Sequence, residues 1–173
     1  MKWTTALWVA LAGLFSASMG VAIYHGLSND RGIFTRDDPL PDIAHDFSTP
    51  EGAILCLEDA YRAKDIEAAV RCRDFPTEAR LRLEASPLPQ AIINDNVLAA
   101  TAKRFEEQFR EYLKVNGFPD MTGVESRFRD RQEGKQNMVI VTEEHRFPDG
   151  SRSTQRLLLV KGPDGWRVVT PLD

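Results

Sequence analysis

The first 24 residues form one long apolar stretch. No charged residue occurs between positions 3 and 24, and the basic groups before it are Lys2 and the amino terminus. A helix of about 20 residues crosses a hydrocarbon core of about 30 Å. We therefore expect a membrane segment over 1–24, either retained as a signal anchor or cleaved as a signal peptide after small residues at 16–18 or 20–22. Because the positive charge precedes it, the rest of the chain is expected in the periplasm, tethered by a single pass to the inner membrane or released if cleaved.

A polar segment separates this stretch from a series of predicted helices. Residues 25–47 are polar and interrupted by proline and glycine, which is typical of a linker, so the folded domain is predicted over 48–173. Ser48 and Glu51 have the spacing of a capping box, and apolar residues then recur at helical intervals. Four helices are predicted: from 48 to about 62, 66–72 after an Asp65 cap, a piece from Pro76 that ends before Pro87, and 95–115 before Asn116-Gly117.

The apolar period changes from 3.6 to 2 beyond position 117, which indicates strands. Four strands are predicted, over 124–131, 138–147, 154–161 and 166–170. The turn sequences at 148–150 and 162–165 make the later strands antiparallel neighbours. Helices grouped first and an antiparallel meander grouped last predict an α+β domain, with helices packed on one face of a curved sheet.

Short sequence words in this domain resemble the nuclear transport factor 2-like superfamily, also called the cystatin-like cone. They are Ser-Thr-Pro-Glu-Gly-Ala at 48–53, Tyr-Arg-Ala-Lys-Asp-Ile-Glu-Ala-Ala at 61–69, and Asp-Gly-Trp-Arg-Val-Val-Thr-Pro at 164–171. The resemblance spans about 48–171 and implies a cone-shaped α+β fold. Because that fold occurs in enzymes, transport factors and toxin-immunity proteins, the resemblance indicates the fold more specifically than the function.

Composition and charge narrow the classes of partner. The 173 residues are 42% hydrophobic and 28% charged, which is typical of a folded chain with room for one domain. The net charge is −4, and it becomes −5 once Lys2 is removed with residues 1–24. A nucleic-acid partner is therefore not expected, because binding a phosphate backbone normally needs a basic surface.

The sequence contains none of the common catalytic or cofactor motifs, so no catalytic, cofactor-binding or metal-binding residue and no cofactor is predicted. Glu143 and His145 share strand parity with Val139 and Val141 and could form an acid/base pair. The alternative, which we favour, is that the core-facing pattern ends at Val141 and that residues 143–146 form a solvated strand end.

Two surface features could bind a partner. Arg127, Arg129 and Arg131 are expected to form a basic row on one strand face, which is either solvated or a docking face for an acidic partner. Residues 157–160 are apolar on both strand faces. Either the sheet curves strongly around its own core, or a homodimer or partner covers its second face.

The two cysteines lie eight residues on either side of Lys64. In an antiparallel helical hairpin Cys56 and Cys72 would fall at the same level, and an oxidising compartment would permit a disulfide between them. Two buried free thiols are the alternative.

These expectations favour a non-catalytic, membrane-tethered periplasmic module that binds a protein. Resemblance to the immunity branch of the superfamily implies an immunity-type protein that binds and neutralises a toxic effector. The first alternative is an isomerase- or cyclase-like enzyme of the cone fold, acting on a small hydrophobic substrate. The second is an accessory subunit of an envelope or secretion complex.

Overall fold

The computed structural model describes residues 42–135 and 137–172. The predicted membrane segment at 1–24 and most of the predicted linker lie outside the described residues. Within 42–172, no helix combines the length and the apolar character needed to cross a membrane.

Four helices occupy the first half of this region. They are α1 (Pro50–Ala63), α2 (Ile66–Arg71), α3 (Phe75–Glu84) and α4 (Asp95–Asn116), with a 3₁₀ turn at Gln90–Ile92 between the last two. Asp65 caps α2 as predicted, and Gly117 ends α4 with a positive φ of 81°. The cap of α1 is Thr49 rather than Ser48, because the Thr49 hydroxyl accepts the Gly52 N–H at 3.0 Å while Ser48 is bound to Asp46.

The second half is a four-stranded antiparallel sheet in the order β1-β2-β3-β4. Its strands are β1 (Glu125–Glu133), β2 (Met138–Arg146), β3 (Arg152–Gly162) and β4 (Gly165–Leu172). The predicted α+β architecture of helices packed on an antiparallel sheet is confirmed. Bulges interrupt the register at residues 128–130 of β1 and opposite residues 158–159 of β3, and such irregularities bend and twist a sheet.

The helices cover one face of the sheet, which we call the inner face. Its fully buried side chains include Val139, Val141 and Leu159, which pack with Ile54 of α1 and Phe109 of α4 in one core cluster. Successive strand residues point to opposite faces. In the apolar segment 157–160, Leu157 and Leu159 therefore lie in the core. Leu158 and Val160 are half-buried on the opposite face of the sheet, which we call the outer face.

The segment just before α1 belongs to the folded domain, although the sequence assigned it to the linker. The Phe47 carbonyl accepts the Trp166 N–H at 2.8 Å, and the Arg167 guanidinium lies 3.8 Å from the centre of the Phe47 ring. At Gly165, where φ is +104°, an added Cβ would meet the Phe47 carbonyl oxygen at 2.3 Å. The boundary at residue 48 is thus too late, because a polar, proline-rich composition does not reveal a single anchoring aromatic residue.

These contacts predict that a fragment of residues 42–173 is more stable than one of 48–173. Removing residues 42–47 breaks the pairing with β4 and exposes the Phe47 packing site, so we expect a melting temperature lower by roughly 5–10 °C. Differential scanning calorimetry of both fragments measures this. Phe47→Ala in the longer fragment should reproduce part of the loss, while Val115→Ala, at a residue 71% exposed, should not. Equal melting temperatures would restore residue 48 as the boundary.

Candidate functional site

Three ionisable side chains meet between α1 and β2, and we call Glu58, Glu143 and His145 the buried trio. His145 Nε2 lies 3.2 Å from Glu58 Oε1 and 3.4 Å from Glu143 Oε2. Their side chains are 5% (Glu58), 0% (Glu143) and 15% (His145) exposed. Because charged groups are almost never fully buried without partners, this cluster is the strongest candidate site in the described residues.

The expectation that residues 143–146 form a solvated strand end is wrong. The core-facing alternation of β2 continues beyond Val141, and Glu143 and His145 occupy its next two inner positions. Opposite them on β1 lie Phe128 and Ser126, and α1 covers this end of the sheet. In the sequence, a glutamate after an apolar run indicates that the buried part of the strand has ended. The partners that permit the burial of Glu143 are distant in the chain, so the sequence does not reveal them.

Glu58 was not among the candidate residues predicted from the sequence, although its position in the helical pattern gave one indication of burial. It directly follows Leu57 and lies one helical turn after Ile54, so it falls on the apolar stripe of α1. The same helix supplies its counter-ion, because Arg62 lies four residues later and its Nη2 is 3.0 Å from Glu58 Oε2. An acidic residue on an apolar stripe with an i+4 arginine is compatible with a buried ion pair, and equally with a partly exposed one.

Neighbouring polar groups bind most of the carboxylate oxygens. Glu58 Oε1 accepts a hydrogen bond from the Ser126 hydroxyl. Glu143 Oε2 accepts one from Gln155 Nε2 at 2.8 Å. Two buried atoms, Glu143 Oε1 and His145 Nε2, have no partner that satisfies hydrogen-bond geometry. The contacts of His145 with the two carboxylates are therefore electrostatic attractions at unfavourable hydrogen-bonding angles.

Burial and charge act in opposite directions on the trio. Burial alone would raise the pKa of Glu58, but contacts with His145, Ser126 and Glu143, together with the Arg62 charge, outweigh it and lower that pKa. Burial alone would lower the pKa of His145, but the two adjacent carboxylates raise it to about 9 from its usual 6.5. The imidazolium is thus the favoured form at neutral pH, and it compensates the carboxylates that flank it.

The carboxylates and imidazole of the trio could transfer protons, and the same oxygen and nitrogen atoms could bind a metal ion. One ligand atom from each member lies within 4.8 Å of the others. A carboxylate next to an imidazole is also the usual equipment of a general acid/base. Full burial of Glu143 limits access by a substrate, and the partly exposed edge of His145 is the side of the cluster open to solvent.

The basic row predicted for Arg127, Arg129 and Arg131 does not lie on one face, because the β1 bulge reverses the strand parity between its members. Arg127 pairs in register with Glu144 on the outer face, and Arg131 pairs with Val141 on the inner face. Arg129 falls in the bulge and binds Glu144 at 2.7 Å. Arg131 binds Glu133 at 3.1 Å and lies 5.7 Å from the centre of the Trp166 ring.

The two cysteines are free thiols in the structure, so the disulfide that the sequence suggested is not formed. Helix α2 ends at Arg71, and Cys72 is its C-cap, with its carbonyl accepting the Val168 N–H at 2.9 Å. Pairing with β4, rather than a facing helix, therefore sets the orientation of Cys72. Burial first, and the nearby Cys56 second, raise the pKa of Cys72 to about 12, which keeps its thiol protonated and unreactive.

His145 predicts a specific dependence of stability on pH. Its pKa is about 9 in the folded chain and 6.5 unperturbed, so folding favours the protonated form. The resulting stabilisation is complete below pH 6.5 and is lost as the pH rises to 9, with a magnitude on the order of 2–3 kcal/mol. Urea unfolding at several pH values with EDTA present measures it.

The matched variants for that experiment are His145→Gln and His45→Gln. His145→Gln should lower the stability at pH 6.5 and remove most of its decline up to pH 9. His45→Gln should retain the decline, because His45 is half-exposed and contacts Asp59 at the surface. A decline of equal size in the His145→Gln variant would contradict the assignment to this imidazole.

No protein-family profile matches the chain, and no curated protein matches it. Among solved structures, the chain is similar to one from Campylobacter jejuni that is described as a candidate NTF2-like transpeptidase. The identity is 11%, the TM-score is 0.39, and the match covers 71% of this chain and 99% of that chain.

Proposed function

We propose that the chain is a non-catalytic binding module whose domain docks an acidic protein partner through the outer face of its sheet. The observation that carries this proposal is the composition of that face. One end of it is apolar and the other is rich in arginine, on a domain whose overall charge is negative. A face of this kind suits a partner that offers both apolar and acidic groups.

The apolar end of the outer face is formed by adjacent residues of β2 and β3. Met138 pairs in register with Val160, and Ile140 pairs with Leu158. All four side chains are half-buried, so each keeps accessible apolar surface beside its neighbours. Loss of this surface to a partner would be favourable by about 25 cal/mol for each Å².

The arginine end of the outer face is formed by side chains from three strands. They share one acidic residue, Glu144, which lies 2.7 Å from Arg129, 3.4 Å from Arg146 and 3.9 Å from Arg152. Arg127 pairs in register with Glu144, and Arg156 is exposed opposite Thr142. Arginines outnumber carboxylates here, although Glu125, in register with Arg146, and Asp130, in register with Thr142, join Glu144 on this face. The positive charge that remains would attract complementary charges on a partner, which would accelerate association and fix its orientation.

The proposal extends to an immunity-type role in the periplasm, in which the domain binds and neutralises a toxic effector. Its support is the resemblance to the immunity branch, the apolar segment at 1–24 with basic groups before it, and the lack of catalytic motifs in the sequence. A homodimer through the same face, or a place in an envelope or secretion complex, would use the same surface with a different occupant.

The second candidate function is that of a small-substrate enzyme, and the buried trio is the observation that favours it. Two carboxylates and an imidazole within hydrogen-bonding reach could move a proton in an isomerase-like reaction. Against this, the protein's own groups already bind three of the four carboxylate oxygens.

Charge reversal on the arginine end tests the proposed docking face. We expect Arg152→Glu with Arg156→Glu to reduce capture of the partner from the organism's envelope fraction by at least about 10-fold, because like charges across an interface repel. The matched control is Arg80→Glu with Arg104→Glu, which changes the net charge equally at exposed helical positions. The measurement is quantitative mass spectrometry of proteins bound by the full chain in detergent.

Two results would contradict the proposal. One is a partner that is still captured by the Arg152→Glu, Arg156→Glu variant and is no longer captured by the Arg80→Glu, Arg104→Glu control. The other is no captured protein together with a small molecule that stays bound in native mass spectrometry, which would favour the enzyme. If the captured partner is a toxin, expression of the chain should protect cells exposed to it, and failure to protect would favour the accessory-subunit alternative.

A further inference from the structure

The buried trio contains a polar atom whose burial the protein does not compensate. Glu143 is fully buried, and its Oε1 has no hydrogen-bond partner among the described residues. A buried acceptor left unsatisfied costs about 1–3 kcal/mol, and more when it is charged. Such atoms are rare in native proteins, and a bound ion is one of their ordinary explanations.

The geometry around His145 Nε2 is also better suited to a shared ion than to hydrogen bonds. The atom stands 3.2 Å and 3.4 Å from the nearest oxygens of Glu58 and Glu143, at angles that do not form hydrogen bonds to either. In a tetrahedral zinc site with bonds of about 2.0–2.1 Å, two ligand atoms lie about 3.3 Å apart. The two separations from His145 Nε2 are close to this value.

We propose that Glu58, Glu143 and His145 bind a single divalent ion of the zinc type, which ties α1 to β2. Each contributes one ligand atom, and the three atoms lie within 4.8 Å of one another. A tetrahedral ion has one more position, which the adjacent Ser126 hydroxyl or a water molecule can occupy. This site is separate from the outer face, and it goes beyond the binding function proposed above.

The donor set selects the class of metal. Magnesium and calcium bind oxygen ligands almost exclusively, whereas an imidazole nitrogen with carboxylates suits zinc and neighbouring transition metals. The two carboxylates together balance the charge of a divalent ion. No thiol belongs to the cluster, which distinguishes it from the cysteine-rich structural zinc sites.

Groups behind the ligands hold them in place, as in known metal sites. Arg62 binds the second oxygen of Glu58 at 3.0 Å, and Gln155 binds one oxygen of Glu143 at 2.8 Å. The ligands come from a helix and a strand 85 residues apart in sequence (Glu58 and Glu143). Binding an ion would therefore stabilise the docking of α1 on the sheet, because the unfolded chain does not assemble the site.

Metal titration of the full chain in detergent, after EDTA treatment and its removal, tests the proposal. We expect one equivalent of Zn²⁺ to bind, measured by competition with a chromophoric chelator, and the melting temperature to rise with zinc concentration. With Co²⁺ in its place we expect the visible absorption of a tetrahedral nitrogen and oxygen site, without the thiolate charge-transfer band that Cys56 or Cys72 would give.

Variants separate the trio from other metal-binding groups. Glu143→Gln and His145→Gln should each weaken zinc binding by at least about 100-fold. Glu107→Gln, at an exposed position of α4, and His45→Gln, at the surface contact with Asp59, should leave it unchanged. Circular dichroism checks that each variant is folded.

Either of two outcomes would overturn the proposal. One is a folded wild-type chain that takes up no stoichiometric zinc and shows no thermal shift. The other is zinc affinity that persists in folded Glu143→Gln or His145→Gln. If both variants fail to fold, the wild-type cobalt spectrum decides, because a thiolate band or an octahedral spectrum would place the ion elsewhere.

Discussion

The structure depends on the burial of two carboxylates against one imidazole at the contact of α1 with β2. Glu58 and Glu143 would each be strongly destabilising in the core without compensation, because a buried charge loses its hydration. Arg62, Ser126 and Gln155 bind three of the four carboxylate oxygens, and His145 supplies an opposite charge; these residues come from α1 and from strands β1 to β3. The helix layer can therefore dock in one register only, since a shift along the sheet would separate the charges from these partners.

This arrangement gives the two faces of the sheet in the described domain different chemistry. The inner face holds the core and the buried trio, where ionisable groups bind one another. The outer face carries accessible apolar side chains beside a group of arginines that share Glu144. Chemistry at the trio would need access to fully buried atoms, whereas recognition at the outer face needs no rearrangement. This difference in accessibility is what favours the proposed binding function over the proposed enzyme.

Much of the fold could be predicted from the sequence because the relevant signals are local. Asp65 caps α2, Gly117 ends α4 and the turns at 148–150 and 162–165 join strands, each through its own backbone preferences. For the buried trio, the strand parity of Glu143 and His145 offered their pairing as an alternative, but Glu58 was not identified, because it lies 85 residues before Glu143 and resembles a solvated helical residue. The β1 bulge was equally invisible, and one inserted residue there moved Arg131 to the face opposite Arg127.

A double-mutant cycle between Glu58 and His145 tests most directly whether this ionic contact holds helix and sheet together. The free energies of unfolding of the wild type, Glu58→Gln, His145→Gln and the double variant would be measured by urea at pH 6 with EDTA present. We expect each single variant to be destabilised by about 2–4 kcal/mol and the double variant to lose at least about 1 kcal/mol less than their sum. Additive losses, within about 0.5 kcal/mol, would contradict it and reduce the trio to three independently buried residues.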